Sequence, residues 1–344
     1  MVGGSTAVAL RTASVSEEAG EVATRWLDSL DEEARAEAVQ PFAAASRVGW
    51  HYIPMDDRKG IPMSEMTDEQ RQLVRQLGNI LLSQTGHDKV QQVMQLESLV
   101  AELEGDGRRW ARDPQLYYLT LFGDPAKFGS DTATRWGISF EGHHVSLNFT
   151  MEGSRVIDST PQFLGTHPAE VKRDPTGHFE VGTRVLGPEE QLGFDLLASL
   201  DEAQRAKAVI SDEAPKEVFG AATPAPLAEP AAGLPASEMT DAQQQTLRKL
   251  ITLYAEIVAD PLSQRRLQDA ESNLSATHFA WAGGDRPGVP HYYRIEGPTL
   301  EIELVNSAPD ADGNPANHLH AMYRDNRGDF GLDVPAAGNA GSGN

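Results

Sequence analysis

Two histidines in the segment NHLHAMYRD, His318 and His320, face the same way if that segment is a strand, because alternate side chains of a strand share a face. Met322 and Arg324 then point with them, and Asn317, Leu319, Ala321 and Tyr323 point away. The preceding segment, TLEIELV, alternates too, with Thr299, Glu301 and Glu303 on one face. Paired antiparallel across the loop from Asn306 to Asn317, the two strands set Glu303 or Glu301 beside the imidazoles. Two imidazoles and a carboxylate are a known ligand set for a divalent transition ion. His318, His320 and Glu303 are therefore the expected metal ligands. The competing reading is a pair of solvated or hydrogen-bonded histidines on an exposed edge, next to an ordinary solvated glutamate.

A second set comes from HHVSLNF, where Val145, Leu147 and Phe149 make an apolar face and His144, Ser146 and Asn148 a polar row. His143 falls on the core side, as a satisfied buried histidine. His144 suits a ligand, a base or a substrate contact, since imidazole exchanges protons near neutrality. PHYYRIEG adds His291 and Tyr293 on one face, Tyr292 and Arg294 on the other. An arginine beside tyrosines can hold a carboxylate or phosphate, and more often pairs with a neighbour such as Glu296. Trp136 and Trp281 read as core or cavity wall. Asp310-x-Asp312-Gly-Asn314 has the opening of a calcium loop but no distal glutamate, which favours a polar turn. No phosphate-cradling glycine loop, nucleophile elbow or HExxH helix is present, which argues against the common kinase, hydrolase and zincin classes.

The elements that position these residues fall into two similar sets. SLDEEARAEAV at Ser29 recurs as SLDEAQRAKAV at Ser199, and PMSEMTDEQRQLVRQL at Pro62 recurs as PASEMTDAQQQTLRKL at Pro235. FEGHHVSLNF aligns more weakly with IEGPTLEIEL, placing Thr299 where His144 stands. A single long period points to a duplicated domain rather than a solenoid. The expected fold is α+β, each half being helices followed by an antiparallel meander, the halves related by a pseudo-two-fold axis. Ser29 with Glu32 and Thr67 with Gln70 mark helix starts, the latter opening a helix from Asp68, with another over Asp88 to Leu103. Residues 1–20 read as disordered, 21–184 as the first repeat, 185–331 as the second with a Pro/Ala-rich connection at 221–235, and 332–344 as a disordered tail.

Composition narrows the function. The 344 residues carry a formal charge of −22, which repels nucleic acid and anionic membrane surfaces. The absence of cysteine removes disulfides, thiolate metal sites and cysteine nucleophiles, so a metal must sit on His, Asp, Glu or Asn. No apolar run reaches membrane-spanning length and no leader is visible, so the chain as given reads as cytoplasmic or as an exported mature form.

The strings WGISFEGHHVSLNFT, STPQFLGTHPAEV, SLDEAQRAKAVISDEAP, HFAW, HYYRIEGPT, NHLHAMYRD and GDFG, in this order from about Trp26 to Gly331, resemble the family known as domain of unknown function 3500. The resemblance implies no activity. It implies that His143, His144, Asn148, His291, Tyr293, Arg294, Glu303, Asn306, Asn317, His318, His320, Arg324 and Asp325 occupy motif positions, and that members are often exported.

Two functions follow. One is a metal-dependent enzyme, hydrolase or oxidoreductase, in which His144, His291 and Arg324 orient substrate or move protons, and Asn148, Tyr293, Arg294, Asn306 and Asn317 bind it. The other is a binding or interaction module with a polar-aromatic cleft between the halves for a small organic ligand. A blander reading makes the same residues a hydrogen-bonded core network.

Overall fold

An apolar stripe over residues 19–27 anchors the first helix. In the computed structural model of the chain, which describes residues 3–332 apart from 56, 131–132 and 225–230, α1 runs Gly3–Asp28. Its Ala19, Val22, Ala23, Trp26 and Leu27 are buried with the spacing of one helix face. Residues 3–20, expected without regular structure, thus belong to a helix. Ser16 Oγ donates to Gly153 O at 3.1 Å, and a Cβ on Gly20 would fall 2.6 Å from Gly129 N. The break expected at Ser29 occurs, but Asp31 caps α2 (Glu32–Ala38), accepting from Ala34 N at 2.9 Å. The short β1 (Val39–Gln40) and β2 (Ile61–Pro62) follow. Thr67 and Gln70 form the expected reciprocal cap of α3 (Asp68–Leu81). Ser83 starts α4 (Gln84–Glu104) earlier than Asp88 by accepting from Gly86 N. Of the expected connection at 221–235 and tail at 332–344, residues 225–230 and 333–344 lie outside the described residues.

Then come β3 (Tyr117–Phe122), β4 (Arg135–Gly142), β5 (Val145–Glu152), β6 (Arg155–Asp158) and β7 (Gln162–Thr166). Helices α5 (Gly187–Ala198) and α6 (Glu202–Ala208) lead to β8 (Val209–Ser211) and β9 (Leu234–Pro235), and α7 (Asp241–Ala255) and α8 (Asp260–Ser272) follow. The chain closes with β10 (His278–Gly283), β11 (His291–Gly297), β12 (Leu300–Ala308) and β13 (His318–Arg324). All of them join one 13-stranded mixed sheet in the order β1-β3-β4-β5-β7-β13-β12-β11-β10-β8, with β2, β6 and β9 paired alongside. The β1–β3 and β8–β10 pairs are parallel and the rest antiparallel. The two meanders meet where β7 pairs β13, His320 lying opposite Gly165.

Alternation splits the sheet residues between two cores. Leu147, Leu164, Tyr293, Ile302, Leu304, Leu319 and Ala321 pack under the helices. Phe163, Tyr292, Val305 and Met322 face the other way, where Trp50, Tyr52, Val218 and Phe330 from loops cover them. His320 shares the parity of Met322 and lies under those loops. Among the described residues, no helix is long and apolar enough to cross a membrane.

Candidate metal centre

The β7–β13 seam brings three imidazoles to one point. His318 and His320 come from β13, as the alternation requires, and the third comes from the two-residue turn between β4 and β5. In that turn Gly142 pairs with Val145, so His143 and His144 form its two corners. His144 adopts φ 64°, a left-handed conformation that costs a residue with a Cβ about 1–3 kcal/mol and persists only where surroundings enforce it. They do: His144 N donates to Tyr52 O at 2.9 Å, its carbonyl accepts from Gly165 N at 2.8 Å, and Tyr117 Oη donates to His143 O at 2.8 Å.

The Nε2 atom of His144 lies 2.8 Å from that of His318 and 3.2 Å from that of His320, and the last two are 3.2 Å apart. Three nitrogens bound to one ion at ordinary metal–imidazole lengths would be separated by about 2.9–3.4 Å, depending on bond angle. The spacing fits. Burial first, and then the neighbouring histidines, hold His144 and His318 well below the usual imidazole range, so both offer a lone pair rather than a charge. On the far side of His320, Nδ1 lies 2.7 and 2.9 Å from the two oxygens of Glu217. A proton on Nδ1 donating to that carboxylate leaves Nε2 bare and aimed inward. Tyr52 bonds Glu217 and meets the His320 ring edge-on at 5.2 Å, with Phe163 at 5.3 Å. Gly165 forms the floor, since a Cβ there would sit 2.7 Å from His144 Cδ2 and 3.1 Å from His320 Cδ2. These three histidines could hold a metal ion.

A second group with donor atoms within 4.8 Å of one another is Glu97, His143 and His144. There the Nδ1 of His143 already has Glu97 Oε1 at 2.5 Å and Arg112 Nη1 at 3.0 Å. The guanidinium supplies the positive charge, so the three-imidazole group is the better ion site.

Glu303, expected as the third ligand, stands elsewhere. The register puts Val305 opposite His320 and Glu303 opposite Met322, one row further along. Its Oε2 accepts from Tyr292 Oη at 2.6 Å and Phe219 N at 2.9 Å, and burial, then the charge of Glu301, push its carboxyl up. Arg324 shares that face, yet its donors go to Asp329 Oδ2 at 2.7 Å, Thr223 O at 2.9 Å and Gly220 O at 3.2 Å. Glu303 and Arg324 therefore pin the segment from Glu217 to Thr223, and through it Glu217 against His320.

The other expected contacts are dispersed. His291 lies on the helix-covered face, stacked on Trp281, with Nδ1 2.8 Å from Val289 O and Nε2 3.0 Å from Glu190 Oε1, an electrostatic contact rather than an aligned hydrogen bond. Tyr293 Oη meets Tyr254 Oη at 2.6 Å on the same face. Arg294 pairs with Glu296 at 3.2 Å, and Asn148 donates to Ser146 Oγ and Pro161 O. Asn306 accepts from His318 N at 3.1 Å and donates to Glu190 at 2.7 Å, so it supports the centre from behind. Asn317 bonds Glu170 and Asp310, and the Asp310 carboxylate is occupied by its own loop.

Residues that spacing did not single out include Glu217, Gly165, Tyr52 and His167. His167 stacks on His318 with ring centroids 4.4 Å apart and planes within 7°. Its signal was the Thr-His-Pro of FLGTHPAEV; Glu217, in a charged loop, carried none.

Fold and site together define an α+β protein whose mixed sheet carries a partly buried three-histidine cluster that could hold an ion. The chain belongs to the family described as protein of unknown function (DUF3500), whose model matches residues 12–332. No curated protein and no solved structure matches it.

Proposed function

We propose that the protein is a metal-dependent enzyme whose centre is a divalent transition ion held by Nε2 of His144, His318 and His320. The carrying observation is the mutual approach of those three atoms to 2.8–3.2 Å, with His144 buried and His318 and His320 half-buried. Bare lone pairs at that separation repel unless a proton or cation lies among them. A catalytic rather than structural role is supported by the ligand count, since three side chains leave a coordination position for substrate, and His318 and His320 are partly exposed. An ion bound by neutral ligands keeps its full charge and would polarise a carbonyl or phosphoryl oxygen, or acidify water. The chain's own part is to orient the imidazoles: Glu217 fixes His320, Tyr52 and Gly165 fix the His144 turn, and the Glu303 and Arg324 contacts fix Glu217. Hydrolysis and oxidation divide on the ion, zinc suiting the first and copper or iron the second.

The pseudo-two-fold reading supports one centre per chain. The orders α2–β1 and α6–β8, the reciprocal caps at Thr67 and Thr240, and the turns Gly142–Val145 and Gly297–Leu300 match one another. Where the first turn carries His143-His144 the second carries Pro298-Thr299, so an equivalent imidazole is missing from the second.

The test is elemental analysis of protein made without an affinity tag, followed by titration of metal-free protein with zinc, copper, iron, manganese, cobalt and nickel. One equivalent of tightly bound ion, lost in His144→Ala, is expected. No stoichiometric uptake of any of them sinks the proposal.

A further inference from the structure

Resting on that centre, we infer that His167 is the hydrogen-bonding partner of whatever the ion binds, and that the natural ligand is an oxygen donor with a second polar atom beside the coordinating one, such as a carboxylate, amide or hydroxamate. His167 is 7% exposed, and neither ring nitrogen has a hydrogen-bond partner among the described residues. Buried imidazole nitrogens without partners are uncommon, because each forfeits its bond to water on folding. Packing alone does not call for them, since a phenylalanine would stack as well.

Geometry sets what His167 can reach. Its ring lies parallel to that of His318, within 7° and 4.4 Å between centroids, and edge-on to His144 at 6.4 Å. An ion on His318 Nε2 lies in the plane of the His318 ring. The hydrogen bonds of His167 lie in a separate parallel plane, so they meet an atom attached to the ion rather than the ion itself. Consistently, His167 is not part of the ion-competent groups. A neutral imidazole presents one donor and one acceptor. The two nitrogens point to opposite edges of the ring, so one of them serves the ligand: a carboxyl-type group binds the ion by one oxygen near the plane of the His318 ring and offers its next atom across to the parallel plane of His167, a gap that a single coordinated atom does not span.

The test uses the full chain loaded with cobalt or copper, with acetate, acetohydroxamate and chloride as probes and the ion's visible spectrum as readout. His167→Phe keeps the stack and removes both nitrogens; His167→Asn keeps polarity if the first folds poorly. The expected result is metal affinity within about threefold of wild type, with acetate and acetohydroxamate binding weakened on the order of tenfold and chloride unchanged. Unaltered binding of all three probes, an equal weakening of chloride, or a loss of metal affinity that matches the loss of probe affinity overturns the inference and leaves the metal centre standing. Failure of the wild type to take up an ion removes both.

Discussion

Gly165→Ala should disable the centre without touching a ligand. Gly165 has ordinary strand backbone in β7, so alanine adds no dihedral strain. Its Cβ, however, would stand 2.7 Å from His144 Cδ2, 3.0 Å from His144 Cγ and 3.1 Å from His320 Cδ2. Carbon atoms settle at about 3.5–4.0 Å, so the His144 ring must retreat by roughly 0.8 Å. Ion–nitrogen lengths tolerate only about 0.2 Å, and the His144 turn is held by Tyr52 and by Gly165 itself, which leaves the ring little freedom to compensate. Affinity for the ion should fall on the order of 100-fold, equivalent to about 2.7 kcal/mol, while overpacking costs the apo fold about 1–3 kcal/mol. Competition against a chromophoric chelator measures the first and urea unfolding in chelator the second. Gly107→Ala, where a Cβ meets nothing within 4 Å, is the control. If Gly165→Ala folds and binds the ion as wild type does, the convergence of the three rings is not what holds it.

His144→Gly and His144→Ala should both abolish ion binding, but the glycine variant should be more stable in the apo state by about 1 kcal/mol in urea, because only it relaxes at φ 64°. Glu217→Gln should weaken ion affinity by about 10–100-fold in the same chelator competition, the amide being a poorer acceptor for His320 Nδ1–H. The Glu303 carboxyl is raised by burial and then by Glu301, so its protonated form is the one the fold favours. That contribution is complete below the ordinary carboxyl range and is lost as pH rises through the raised value. Wild-type stability should therefore decline on the alkaline side, and Glu303→Gln should flatten the decline. Parallel slopes for the two proteins in chemical denaturation from pH 5 to 9 would count against this.

What the sequence made legible was local. Alternation put His318 and His320 on one face, the Thr67 capping box opened its helix at Asp68, and the shared Glu-Gly aligned two hairpin turns. Each depends on neighbours a few residues apart, which spacing can report. The third imidazole could not be found that way, because His144 reaches the site only through the pairing of β7 with β13. Nor could it be placed from its strand: the polar row of HHVSLNF assumed strand backbone at His144, where the chain turns with positive φ. Glu303 was assigned from the right face but the wrong row. The long loop and the irregularity between Asn306 and Ala308 set Val305, not an acid, against His320. The acid that does serve the centre, Glu217, sits behind an imidazole rather than beside it. That choice follows from chemistry. In the proposed centre a carboxylate bound directly would cancel part of the ion's charge, whereas one on Nδ1 would strengthen the ligand and leave that charge for whatever the ion binds. Glu303, kept off the ion and made to grip Phe219 N, contributes by fixing the loop that delivers Glu217. Exchanging the two roles by sequence alone requires knowing a loop path that no periodicity encodes.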